Sequence, residues 1–339
     1  MTGHSVQYCL RSTSLPERNT RSIGGYFELE LPRNRTLPYH GVMKFQSARA
    51  AFLALLQAGR PKRVWMPRYI CDAMLAPLQS TKVKCVWYDL DEKLAVDSKV
   101  QIEAGDWLVY VNYYGLHQKN IENLLLRYSP DQIVLDFSQS FFEPPVESAL
   151  ATIYSPRKFF GVPDGGLLIS KSMAISAVLQ DVKSLERSSH LMKRLADSPE
   201  AGYQDYLYAE KTLSDCEPKL MSKLTERLLG SIDFDDARRV RNENFMFLHQ
   251  ELGKNNQYEI DALNDVAPLC YPFMTSNPNL KQTMIANRIF VPTYWTDAIA
   301  RVGEKWAEKM VNNLLPLPID QRYGREDMEK IVSVISGGK

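Results

Sequence analysis

No stretch of the 339-residue sequence approaches the run of about 18 apolar residues that a membrane helix needs. The first twenty residues are polar and mixed in charge, without the apolar core of a secretory signal. Cysteine is scarce: Cys9, Cys71, Cys85, Cys216 and Cys270 are odd in number, far apart, and form no C-x-x-C pair. A disulfide scaffold and a zinc site are therefore not expected, and a reducing, cytoplasmic setting is. An excess of one charge is also missing, since 41 Lys and Arg face 40 Asp and Glu for a net charge of +1. Nothing in that balance predicts a nucleic-acid or membrane partner. Internal repeats, low-complexity tracts and Gly/Ser linkers are absent too, so domain borders must be read from changes in pattern. What is there is ordinary: 45% hydrophobic and 24% charged residues predict a packed protein, and about 150 residues per domain predicts two domains.

From Lys44 to Gly59 the residues Phe45, Ala48, Phe52, Leu55 and Leu56 recur at helical spacing, with Gly59 and Pro61 as a stop. Short strand-like runs follow at Val64 to Met66, Val83 to Tyr88, Trp107 to Val111 and Ile133 to Leu135, the last ending on Asp136. Between them lie predicted helices after Pro67, carrying Ile70, Met74 and Leu75, and from Asn120 to Tyr128. Buried strands alternating with helices indicate an α/β fold around a mostly parallel sheet. Two more strands are expected at Ala151 to Tyr154 and Gly166 to Ile169, then charge-rich amphipathic helices from Met173 to about Gly253. Alternation resumes with strand-like runs at Leu269 to Phe273, Ile289 to Pro292 and Leu314 to Ile319. Helices are expected near Leu280 to Asn287, from Thr296 to Asn312, and after Gly324. The expected division is a large α/β domain over 1–235 and a smaller C-terminal α+β domain over 236–339, with a long helix around Asp235 to Leu252 joining them.

The stretch richest in chemistry is 131–166, DQIVLDFSQSFFEPPVESALATIYSPRKFFGVPDGG. Asp136 sits where a buried strand ends, and ligands of open α/β sheets bind at the carboxyl ends of strands. A lone aspartate there is more simply a strand-end cap. Gln139 follows three residues later, Lys158 twenty-two residues after Asp136, with Ser155 in an S-x-x-K arrangement and Gly165-Gly166 seven residues beyond the lysine. Together these meet the needs of pyridoxal 5′-phosphate: an amine for the covalent link, a carboxylate for the pyridine nitrogen, and donors for the phosphate. The phosphate also calls for free amides at a helix start, which Ser47-Ala48-Arg49-Ala50 provides.

Other candidates have plainer roles. Ile23 to Phe27 is too sparse for a dinucleotide fingerprint, and Gly24-Gly25 suits a tight turn, with Tyr26 free to face a substrate. His117 is expected to be structural or at the surface. The cluster Arg238, Arg239 and Arg241 lies on a charge-dense helix and is expected to face solvent or pair. Tyr294 and Trp295 are expected to pack the smaller domain.

The chain resembles the DegT/DnrJ/EryC1/StrS family of pyridoxal-phosphate aminotransferases, fold type I. The resemblance is carried by SARAAF at 47–52, MPRYICDAM at 66–74, YYG at 113–115, D-x-x-Q at Asp136 and Gln139, Lys158 with its glycine pair, and the late LLPLP. It implies pyridoxal phosphate as cofactor and a homodimer as the working unit. It further implies Lys158 as the Schiff-base residue, Asp136 on the pyridine nitrogen, Gln139 on the ring hydroxyl, and the amides of Ala48 and Arg49 on the phosphate. The family's phosphate-binding serine usually stands at the place of Ile153, so Ser155 is the donor expected here. Cys71 occupies the place of the family's ring-stacking aromatic, with Tyr69 or Tyr113 available for part of that task. The family's G-x-N-x-R segment has no match before Met221-Ser222. The implied activity is transfer of an amino group from glutamate to a nucleotide-linked keto-deoxysugar in surface polysaccharide synthesis. The alternatives are a binding or regulatory protein on the same fold and an aminotransferase with a non-sugar acceptor.

Overall fold

The computed structural model describes residues 23–32, 35–171, 179–214, 217–260 and 267–337. Cys9, Cys216, the polar first twenty residues and the start of the helical stretch at Met173 lie outside the described residues. Cys71, Cys85 and Cys270 are free thiols.

Seven strands form the main sheet: β1 (Met43–Phe45), β2 (Arg63–Pro67), β3 (Lys84–Tyr88), β4 (Asp106–Val111), β5 (Ile133–Phe137), β6 (Ala151–Tyr154) and β7 (Gly166–Ser170). Their spatial order is β1-β7-β6-β5-β4-β2-β3. The pairs from β3 through β6 are parallel, whereas β7 runs antiparallel to both β6 and β1. Strands β4, β5 and β6 are buried along their whole length, as parallel strands covered on both faces must be, and their Val, Ile and Leu runs reflect that. The mostly parallel α/β sheet expected from the alternation is therefore present.

The first helix, α1 (Ala48–Gly59), is capped by Ser47, whose side chain accepts from Ala50 N at 3.0 Å. It buries Phe52, Leu53, Leu55 and Leu56, each contributing about 1.5–3 kcal/mol relative to exposure. Then come α2 (Ala76–Thr81), α3 (Gln118–Arg127), α4 (Ser184–Arg187), α5 (Ser189–Ala196), α6 (Pro199–Thr212) and α7 (Lys223–Leu229). The long α8 (Phe234–Leu252) falls within one residue of the expected joining helix. It is followed by α9 (Leu280–Ala286), α10 (Ile299–Val302), α11 (Lys305–Asn313) and α12 (Arg325–Ile335). Strands β8 (Tyr271–Met274) and β9 (Leu314–Leu317) pair antiparallel as a separate sheet. A second core gathers Phe245 and Leu248 of α8, Tyr271 and Phe273 of β8, Met284 of α9, Leu315 of β9 and Met328 of α12.

Three sequence expectations need correction here. The helix expected over Thr296 to Asn312 is broken: α10 ends at Gly303, whose φ of 68° closes the turn, and α11 restarts at Lys305. The run Ile289 to Pro292 does not form a strand. Ile289 and Val291 alternate inward as in a strand, but the amide of Ile289 goes to Met284 O at the end of α9 and Pro292 has no amide to offer a neighbour. After Pro67 the chain makes a single turn over Asp72–Met74 before the short α2, in place of one helix through Ile70.

Candidate active site

Asp136 is the fourth residue of β5, level with Val111 of β4 and Ile153 of β6, and is 4% exposed. The chain turns at once after β5, so Ser138 N reaches back to Asp136 Oδ1 at 2.8 Å. Oδ2 accepts no hydrogen bond among the described residues. That oxygen is not among the fully buried side-chain atoms that lack a partner, so it stands open to solvent or a ligand.

Lys158 ends a single turn over Pro156–Lys158 that follows β6. Its residue is exposed, and its Nζ donates to Ser138 Oγ at 3.1 Å without a carboxylate partner among the described residues. Ser138, which sequence reasoning passed over, therefore links the lysine to the aspartate. Its signal was its place inside the D-x-x-Q turn.

Cys71 is partly buried close to both charges: burial pushes its thiol pKa up, the Lys158 ammonium pulls it down, and Asp136 and Asp297 push it up again. The thiol is thus a neutral, small side chain beside the lysine and the aspartate. Gln139, 2% exposed, accepts from Tyr114 N through Oε1 at 2.6 Å, which leaves its amide nitrogen to donate. Tyr114 takes a φ of 58°, uncommon for a bulky residue. At its neighbour Gly115 a Cβ would lie 2.8 Å from Gln139 O, so the YYG turn fits against the glutamine only with glycine there.

The start of α1 closes the group. By helix geometry the amides of Ala48 and Arg49 have no carbonyl a turn earlier to bond. A Cβ on Gly166 would stand 2.1 Å from Ser47 C and 2.4 Å from Ala48 N, so the glycine pair lets the start of β7 lie directly against this helix end. Gly165 also approaches Pro156, which brings Ser155 to the same corner; the Ser155 hydroxyl makes no hydrogen bond among the described residues. The Arg49 guanidinium is held away from the helix start, donating through Nε to Ala73 O at 3.0 Å and through Nη1 to Leu213 O at 2.9 Å. Those bonds tie α1 to the turn that follows Cys71.

Tyr69 points into an aromatic wall, its ring centroid 5.0 Å from Trp295, 5.2 Å from Trp306 and 5.8 Å from Tyr113. Trp295 also meets Tyr113 and Tyr114, each at 5.4 Å, so it packs onto residues flanking the site as well as its own segment. The segment around it grips the approach to Cys71: Asp297 Oδ2 accepts from Asp72 N at 2.6 Å, and Arg301 bonds Asp72, Ile70 O and Arg68 O. His117 is structural as expected, its Nε2 lying 2.7 Å from the Tyr258 hydroxyl. Tyr26 is 99% exposed. Arg239 is exposed and paired with Asp236 and Glu243, whereas Arg241 departs from expectation and is 1% exposed.

Asp136, Ser138 and Lys158 are thus joined by hydrogen bonds, with Cys71 beside them and Gly165 next to Pro156. Asp136 Oδ2, the lysine amine without a carboxylate partner, the Gln139 amide nitrogen and the start of α1 offer donors and acceptors of the kinds that the cofactor's ring nitrogen, carbonyl, hydroxyl and phosphate need. No metal-binding group of three or more His, Cys, Asp or Glu occurs among the described residues, and no helix there is long and apolar enough to cross a membrane.

No family model matches the sequence. No curated protein matches it either. Solved structures do. The chain is similar to the sugar aminotransferase CalS13 from Micromonospora echinospora, with a TM-score of 0.58 at 15% identity over 88% of this chain and 87% of that one. It is similar to a DegT DnrJ EryC1 StrS aminotransferase from Brucella abortus, with a TM-score of 0.58 at 17% identity over 89% and 86%. The PLP-form of Spr1654 from Streptococcus pneumoniae gives a TM-score of 0.59 at 12% identity over 88% of each chain. At such identities the likeness is one of fold: the chain has the fold of pyridoxal-phosphate-dependent aminotransferases, as its sequence resemblance implied.

Proposed function

We propose that the protein is a pyridoxal-phosphate-dependent aminotransferase that moves an amino group from glutamate to a nucleotide-linked keto-deoxysugar, in surface polysaccharide synthesis. The observation that carries this reading is the convergence of Lys158 and Asp136 through Ser138, with Asp136 Oδ2 left without a donor. The fold shared with sugar aminotransferases supports the class of acceptor. When bound, pyridoxal phosphate supplies a ring that withdraws electrons from a substrate carbon. The residues of this chain do the rest. Asp136 Oδ2 would hold a proton on the ring nitrogen, and Gln139 would donate to the ring hydroxyl. The amides of Ala48 and Arg49, with the Ser155 hydroxyl, would hold the phosphate at the positive end of α1. Local donors have to do this, since a net charge of +1 provides no global attraction for anions. Lys158 Nζ, free of any carboxylate, is the base placed to take the proton from the donor's α-carbon and return it.

The reading includes a homodimer as the working unit, which sedimentation of the purified chain tests. The activity is tested by adding glutamate to the protein loaded with pyridoxal phosphate. A shift of the visible band to the pyridoxamine position, with one 2-oxoglutarate released per site, is the expected result. A band that glutamate leaves unchanged overturns glutamate-dependent transamination.

A further inference from the structure

We propose that Arg241 is a positioning residue that fixes the turn carrying Lys158; the claim rests on the function proposed above and deepens it. Arg241 lies on α8 among exposed charges, yet it is 1% exposed and meets no carboxylate within hydrogen-bonding distance among the described residues. Its donors go to neutral oxygens: Nη2 to Phe159 O at 3.2 Å, Nη1 to Pro268 O at 3.2 Å and Leu269 O at 3.3 Å, and Nε to Gln321 Oε1 at 3.1 Å. The guanidinium also lies 4.6 Å from the Phe159 ring centroid. Gln321 sends its own amide to the same Phe159 carbonyl at 2.9 Å.

Asp320 favours the charge from nearby but gives its carboxylate to Arg322 and makes no hydrogen bond to Arg241, so burial keeps a desolvation cost that an apolar side chain of similar volume would not carry. What guanidinium adds is a rigid planar fork that holds several carbonyls at fixed angles. One of those carbonyls belongs to the residue directly after Lys158. The backbone bonds of the Pro156–Lys158 turn itself are short-range, from Lys158 N to Ser155 O at 3.2 Å and from Phe159 N and Phe160 N to Pro156 O at 2.9 Å each, and its side chains reach out through Arg157 to Glu210 and Lys158 to Ser138. The opposite side of the fork reaches Leu269, whose amide donates to Tyr114 O at 3.1 Å, and Tyr114 N in turn holds Gln139. A single buried cation thus spans the lysine side and the glutamine side of the site.

The test compares the full-length chain with Arg241→Met, without cofactor, by amide hydrogen exchange. The expected result is exchange at least ~10-fold faster at residues 158–160, with the peptide over β8 unchanged within about 2-fold. After loading with pyridoxal phosphate, the rate at which borohydride traps cofactor on Lys158 is expected to fall by about 10-fold or more, a free-energy change of ~1.4 kcal/mol. Unchanged exchange at 158–160, or a rise shared equally by β8, overturns the proposal. Should Arg241→Met fail to fold, Gln321→Leu removes the other donor to Phe159 O and is judged by the same two peptides. A wild-type chain that captures no pyridoxal phosphate would overturn the cofactor reading, and the exchange result alone would then decide the role of Arg241.

Discussion

The turn after β5 and the corner around α4 both bury a carboxylate, and they treat it in opposite ways. At the corner, Asp181 spends Oδ1 on Lys183 N at 2.7 Å and Oδ2 on Arg187 Nη1 at 2.6 Å, while Arg187 Nε reaches Thr212 Oγ1 at 2.9 Å. The two side chains of that ion pair are 3% and 1% exposed, and each carboxylate oxygen has a donor. At the strand end the Asp136 residue is also buried, but among the described residues one oxygen has no donor and the nearby lysine has no counter-ion. A saturated cluster holds structure together. An unsaturated one at the carboxyl end of parallel strands keeps its capacity for a ligand.

The contrast can be broken by exchanging roles. Asp181→Asn leaves Arg187 buried without a counter-charge and is expected to cost about 3–5 kcal/mol in denaturant unfolding. Turnover per folded molecule should stay near wild type. Asp136→Asn is expected to do the reverse. It keeps the acceptor for Ser138 N and the fold, but lowers turnover by about 10²-fold, a loss of ~2.7 kcal/mol at the transition state, as steady-state kinetics would show. Equal losses of stability in the two variants would erase the distinction between the clusters.

A third carboxylate sharpens the comparison. Asp164 is fully buried, takes Ser222 N at 3.3 Å through Oδ1, and has no hydrogen bond at Oδ2 among the described residues; burial raises its pKa. A raised folded-state pKa means the folded chain holds the proton more tightly than the unfolded chain, so this group weakens the fold as pH rises through its unfolded and folded values. Asp164→Asn does not titrate. It is therefore expected to gain about 1 kcal/mol over wild type at pH 8, and the gain should vanish only below the unfolded carboxyl's range, at about pH 3, by thermal unfolding at the two pH values. The smallest effect belongs to the surface: Arg239→Ala removes exposed pairs with Asp236 and Glu243 and should change stability by no more than ~0.5 kcal/mol.

Much of this arrangement was legible in the sequence because it is local. The apolar runs of β4, β5 and β6 announced buried parallel strands, and Asp136 marked the end of one. The spacing of Ser155, Lys158 and the glycine pair pointed to a shared corner, and Gly166 does press against the start of α1 with Gly165 next to Pro156. What stayed hidden depends on contacts far apart in sequence. Arg241 reads as a surface residue on a charge-rich helix, and only the approach of residues 159, 268 and 321 buries it. Ile289 to Pro292 has the alternation of a strand but no neighbouring strand with which to pair. Trp295 reads as packing for its own segment, and only the tertiary fold brings it onto Tyr69, Tyr113 and Tyr114.

The central claim is that Lys158 is the residue to which pyridoxal phosphate becomes joined. Borohydride reduction of the cofactor-loaded chain, followed by peptide mapping in a mass spectrometer, addresses it directly. The account predicts one pyridoxyl group per chain, on Lys158, and none on that peptide in Lys158→Ala. Cofactor trapped on another lysine, or on none after prolonged incubation with pyridoxal phosphate, would contradict it.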